Sequence, residues 1–202
     1  MMFRRTFYVI FFLVMTGVPV FGQSEISETI EEAKQLYIQK NLFESVNQLT
    51  RALELVNQEL LTQIETVFPD PPNKWRADSP NSRIKKGAYS TGLVSTCKYY
   101  KKGGGSSVSI EVETNTPRIP NLKRLFVNPS MLEQMGGEAK ISTVADRRCI
   151  ERFDQIDKFA ELIFIPSSTM LISIRGQDMK NTKILMKLAE KIRWDSLNDI
   201  FQ

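Results

Sequence analysis

Two apolar runs constrain this chain more than any other feature: Leu162-Ile163-Phe164-Ile165, and Leu171-Ile172 with Ile174. Pro166-Ser167-Ser168 separates them. Short runs rich in β-branched residues and bounded by turn residues read as strands. Apolar residues at consecutive positions leave no wet face, so both strands belong in the middle of a sheet covered on each side. Four further strand-like runs lie after residue 90, at 93–101, 106–114, 138–144 and 148–153. In the second of these, Val108, Ile110 and Val112 alternate with Ser107, Ser109, Glu111 and Glu113, the pattern of a half-buried strand. Gly103-Gly104-Gly105 reads as a hairpin loop, and the other separators are as short, which predicts antiparallel neighbours. A helical segment interrupted by Pro129 is expected over 120–135. A last helix is expected over 178–193, with Met179, Leu185, Leu188, Ala189 and Ile192 toward the sheet. Trp194, Leu197, Ile200 and Phe201 add an apolar patch. Residues 89–202 therefore read as an α+β domain with a mainly antiparallel sheet and helices packed on it.

Residues 24–67 read as a helical hairpin turning at Lys40-Asn41. In its first helix Ile26, Ile30, Ala33 and Tyr37 make one stripe. In its second the stripe runs Phe43, Val46, Leu49, Leu53, Val56, Leu60, Ile64 and Val67, close to heptad spacing. At 1.5 Å per residue the second helix is about 16 Å longer than the first. An antiparallel partner therefore covers only its first half, and the domain that follows is expected to cover the second. Residues 68–88 read as a proline-rich linker and loop. Prolines 69, 71 and 72 aim the chain so that Trp75 buries against the domain.

Residues 1–22 read as a cleavable signal peptide: Arg4 and Arg5, a run of about 15 apolar residues too short to span a bilayer, and Val20-Phe21-Gly22 before the cleavage point. Without those two arginines the net charge drops from +4 to +2, a weak basis for a nucleic-acid partner. Periplasmic localisation follows, with secretion as the alternative. Histidine is absent, which removes Ser-His-Asp triads, Cys-His pairs and imidazole metal sites. Cys97 and Cys149 can form one disulfide after export, or stay as buried thiols.

The element order, with Pro69, Pro71, Trp75, Tyr99 and Pro129 as its markers, resembles the PsbP-like α/β/α fold of extrinsic photosystem subunits and small exported bacterial proteins. The leading helices resemble one tetratricopeptide unit at Ala33, Leu36, Ser45, Leu49 and Ala52. The resemblance implies a binding or assembly module with no catalytic residues and no cofactor. Members that hold metal through histidine are no guide to this chain.

Three constellations remain. The glycine loop at 103–105 can present N–H groups to an anion, but it joins two strands rather than a strand and a helix, so a plain hairpin tip is the expectation. Glu151, Asp154 and Asp157 can serve acid–base or calcium chemistry, or form a solvated turn. Lys98, Lys101, Lys102, Arg118, Lys123 and Arg124 form a basic region, a candidate surface for anionic lipid or an acidic protein. The function expected from the sequence is a non-catalytic periplasmic binding or assembly module with an unidentified envelope protein as partner. A peripheral envelope protein using the basic region and a carboxylate-dependent hydrolase are the alternatives.

Overall fold

The computed structural model describes residues 21–86, 91–136 and 138–201, and the chain divides into two compact units between Leu55 and Val56. The expected signal peptide lies outside the described residues except for its last two positions. In the first unit, α1 (Phe21–Ile38) is followed by the start of α2 (Leu42–Glu65), which runs on past the division. Lys40 takes a left-handed φ of 63°. Its N–H reaches the Tyr37 carbonyl at 3.0 Å, and that of Asn41 reaches Leu36 at 2.9 Å. This is a Schellman C-cap with lysine at the position that favours glycine. Small residues let α1 and α2 approach: the Ser45 hydroxyl donates to the Ala33 carbonyl at 2.8 Å, and both residues are buried, as is Ala52. Arg51 pairs with Glu25 at 3.0 Å. These contacts lie beside the heptad stripe and leave Phe43, Val46, Leu49 and Leu53 exposed. The expectation that α1 would cover this half of the stripe is thus corrected: the small residues, which allow the closest approach, sit on the neighbouring face.

The second unit is an α+β domain. Among the described residues it holds eight strands: β1 (Trp75–Ala77), β2 (Asn81–Lys86), β3 (Thr91–Lys101), β4 (Ser107–Thr114), β5 (Glu138–Val144), β6 (Arg147–Asp154), β7 (Phe159–Phe164) and β8 (Met170–Gln177). They form one antiparallel sheet in the order β1-β3-β4-β8-β7-β6-β5, and β2 shares the outer edge of β3 with β1. The crossover from β4 to β5 places β8 at the centre, and β7 and β8 are the buried strands that their unbroken apolar runs require. The stretch read as linker contributes β1 and β2. Their residues are mostly polar because an edge strand needs only one dry face, and only Ile84 of β2 packs against the core.

One face of the sheet buries Tyr99, Ile110, Leu162, Phe164, Ile172 and Ile174 against Leu61 and Ile64 of α2, Val67 just past its end, α4 (Lys183–Ala189) and α5 (Trp194–Ile200). Trp75 is half-buried at the rim of this core, short of full burial, because it opens an edge strand. The Tyr99 hydroxyl donates to the Pro69 carbonyl at 2.8 Å, which fastens the proline segment to the sheet. The single helix expected at 178–193 begins later and is followed by a second. Asp178 is left-handed at φ 55°, and after α4 the chain turns where the Trp194 indole N–H bonds the Ala189 carbonyl at 2.9 Å. The other face buries Ile150, Ile163 and Leu171 under α3 (Ile119–Val127) and a 3-10 helix at Pro129–Met135. Pro120 suits the first turn of α3, and Pro129 ends it.

Cys97 and Cys149 are buried free thiols. They lie on β3 and β6 with three strands between them, four steps or roughly 19 Å apart, whereas a disulfide needs Cα atoms within about 7 Å. The disulfide that export would permit is therefore corrected to two separate core thiols. Burial pushes the Cys149 thiol up to about 12.

Candidate functional site

The β5–β6 turn and the end of β7 build a cleft of about 370 Å³. Ala145 and Asp146 turn the chain in two residues, with φ of 51° and 57°, the geometry of a primed hairpin turn. Arg147 and Arg148 follow at once, as the first residues of β6. The ladder between β6 and β7 stops at Cys149 and Phe164, and Pro166 just beyond has no N–H with which to continue it. The arginines therefore stand at the open end of the sheet. Alternation sends them to opposite faces. Arg147 lies over the Trp194 ring at 4.8 Å, on the side of α5. Arg148 lies over the Phe126 ring at 5.8 Å and donates to the Phe126 carbonyl at 3.3 Å, on the side of α3. Lys123 of α3 lines the same cleft, and Phe126, Phe164, Ile165 and Pro166 supply its apolar wall. Asp146 is the one carboxylate in the lining, and among the described residues no carboxylate pairs with the three cations. The arrangement can hold an anionic group attached to an apolar body: guanidinium planes give two-pronged hydrogen bonds to carboxylate or phosphate, and the ring contacts preorganise them.

Only Lys123 of the basic region expected from the sequence belongs to this cleft. Arg124 is exposed on α3. Arg118 is bound at 3.1 Å to Glu113, which also takes the Lys85 ammonium at 2.9 Å. Burial pushes the Glu113 carboxyl up, but these two cations outweigh it and hold the group below the usual carboxylate range. Lys98 is exposed in the middle of β3, and Lys101 and Lys102 lie at its far end. Val94 pairs with Glu113, so Lys101 is seven residues, about 24 Å, along the strand from that ion cluster. Lys101 instead lines a separate cleft with Trp75, Gly104, Gly105, Lys158 and Lys180. The six basic residues are therefore not one surface. Arg147 and Arg148 went unseen because a dibasic step after a turn looks like ordinary strand edging; the visible signal was their position directly before the buried Cys149-Ile150.

Of the three acidic residues, Glu151 stands apart from Asp154 and Asp157, which share one turn. Glu151 is buried and accepts from Thr182 at 2.6 Å and Ser142 at 2.5 Å, with Lys140 at 3.4 Å. Burial pushes it up, and these partners hold it below the usual range. It ties the start of α4 to β5 and β6. Asp154 caps its own turn by accepting from the N–H groups of Ile156 and Asp157 at 3.0 and 3.1 Å. Gly103, at φ 71°, turns the β3–β4 hairpin. Among the described residues no three of Cys, Asp and Glu are grouped as metal ligands, and no helix is long and apolar enough to cross a membrane. No protein-family model matches the chain, and neither the curated proteins nor the solved structures offer a significant match.

Proposed function

We propose that this chain is a non-catalytic binding module of the periplasm that holds an anionic partner in the cleft of Lys123, Arg147 and Arg148. It would reach that compartment through the leader at residues 1–22 and would consist of a helical hairpin followed by a PsbP-like domain. One observation carries the binding reading: three cations without bonded carboxylates surround an apolar wall, and two are already oriented on aromatic rings. A cleft of this volume lies within the range of small-ligand sites, so it suits a chain end or headgroup rather than a folded surface. Calorimetric titration with acetyl-Leu-Phe as the free acid and as the amide tests it. Binding of the acid alone, weakened about tenfold by Arg148→Ala and by a rise to 0.5 M salt, is the expected result. Equal binding of acid and amide, or none of either, overturns it.

A second reading has one observation in its favour. Val127 is 85% exposed beside Lys123 and Arg124 at the end of α3, an arrangement suited to an anionic lipid surface. Salt-sensitive flotation with phosphatidylglycerol vesicles, lost in Val127→Asp, would favour it over the cleft.

A further inference from the structure

The first half of α2 carries an apolar seam that the first unit does not use. Leu42, Val46, Leu49, Leu53 and Val56 follow steps of four, three, four and three. Their exposures are 57, 59, 52, 54 and 37%, and Phe43 beside them is 73% exposed. An alternating step of three and four is the period of a helix that another helix supercoils around, with each side chain entering a hole in the facing helix. The contact with α1 does not serve that purpose. It uses Ala33, Ser45 and Ala52, one position to the side.

We infer that this seam is the pairing surface for a second copy of the chain. Its uncharged flanks and its area fit that occupant. In paired helices the positions flanking the seam choose the partner through attraction or repulsion. Here those positions are Phe43, Thr50 and Asn57 on the open side and Ser45 and Ala52 on the α1 side, all uncharged. Glu44, Arg51 and Glu54 stand away from the seam, and Arg51 is held by Glu25. Nothing on the flanks repels an identical helix, and no charge invites an acidic or basic one. Six apolar side chains exposed to this degree present roughly 500–600 Å² per copy, or about 1,100 Å² for the pair, near the lower end of specific interfaces. A patch of that size on a lone subunit is at the upper end of what monomers expose. The pair is isologous, the same surface meeting itself about a two-fold axis. Leu49, at the middle of the seam, then lies close to its own copy.

The test uses the full chain as purified. Sedimentation velocity from 1 to 200 µM should show a monomer–dimer equilibrium. Val46→Glu with Leu53→Glu should sediment as a monomer throughout, with the melting temperature measured at 1 µM unchanged. Leu49→Cys should form an intermolecular disulfide under mild oxidation, while the parent chain, whose two cysteines are buried, should not. A parent that stays monomeric at 200 µM overturns the inference. So does a double variant that still dimerises, which places the contact elsewhere, or one that unfolds, which makes the seam an internal core. A parent that stays monomeric alone and pairs only with a different protein overturns it too. None of these outcomes bears on the anion cleft, which lies in the other unit.

Discussion

The two halves of α2 share one helix and nearly one apolar period, yet end in opposite surroundings. In the first half Val46, Leu49 and Leu53 are each more than half exposed, while in the second Leu61 and Ile64 are buried to 9 and 0% exposure, as is Val67, two residues past the helix end, to 1%. The width of the stripe separates them. Leu60, Leu61 and Ile64, extended past the helix end by Val67 and Phe68, make an apolar band wide enough to lie on a sheet. Leu42, Val46, Leu49, Leu53 and Val56 make a seam that Phe43 widens only at its start, and its width beyond that matches a single partner helix. Periodicity locates an apolar face; its width indicates what can cover it.

The largest effect expected from this contrast comes from placing a charge on each half. Ile64→Asp buries a carboxylate among Tyr99 and its neighbours and should cost about 4 kcal/mol or more, enough to unfold a marginal domain. Leu53→Asp should change stability by less than about 0.5 kcal/mol at low protein concentration. Urea melts of the two variants compare them directly, and equal losses would erase the distinction.

Acid should sharpen it. Glu113 and Glu151 share the second unit with the buried half of α2, and both carboxyls sit below their usual range in the folded chain. The stability they contribute is present above the unfolded carboxylate pKa of about 4.3 and is lost as pH falls through the folded values. Urea midpoints read from Trp75 and Trp194 fluorescence, both in the second unit, should therefore fall below pH 4.3. Glu151→Gln should flatten that fall. The Cys149 thiol acts at the other end of the scale. Its folded pKa is raised to about 12, so its contribution is complete below the unfolded value near 8.5 and declines as pH rises above it.

The smallest effect concerns the turn that starts α2. Lys40 holds a left-handed conformation that glycine adopts without strain, so Lys40→Gly should stabilise the first unit by about 1 kcal/mol. The gain should appear in the helical signal of the first unit and leave the tryptophan-reported transition in place.

Much of the second unit was legible in residue order because its central strands are apolar at consecutive positions. The runs read at 138–144, 148–153, 159–165 and 169–175 match β5 to β8 within two residues at each end, and Pro129 opens the 3-10 helix that follows α3. What escaped lies at edges and breaks. Asn81–Lys86 is a strand because the β3 edge is free to pair, and no local property of Asn-Ser-Arg-Ile-Lys-Lys announces it. The break between α4 and α5 has no proline or glycine; it comes from the Trp194 ring, which packs tilted by 55° against Phe164 with centroids 5.1 Å apart, a tertiary contact. The cleft was the least legible part. It needs β7 to stop at Phe164, short of Pro166, just where β6 begins at Arg147, and only strand order brings those two points together. The same strand order separates the two cysteines and scatters the basic region.

Thiol labelling along α2 tests the central contrast most directly. Leu53→Cys and Ile64→Cys, each in a chain whose other two cysteines are replaced by alanine, would be labelled with a maleimide at 1 and 200 µM protein. The Leu53→Cys thiol should react at nearly the rate of a free thiol when dilute and severalfold more slowly when concentrated, and the Ile64→Cys thiol should stay protected at both concentrations. Strong protection at position 53 that does not change with concentration would contradict that contrast, since the seam would then be covered within one chain.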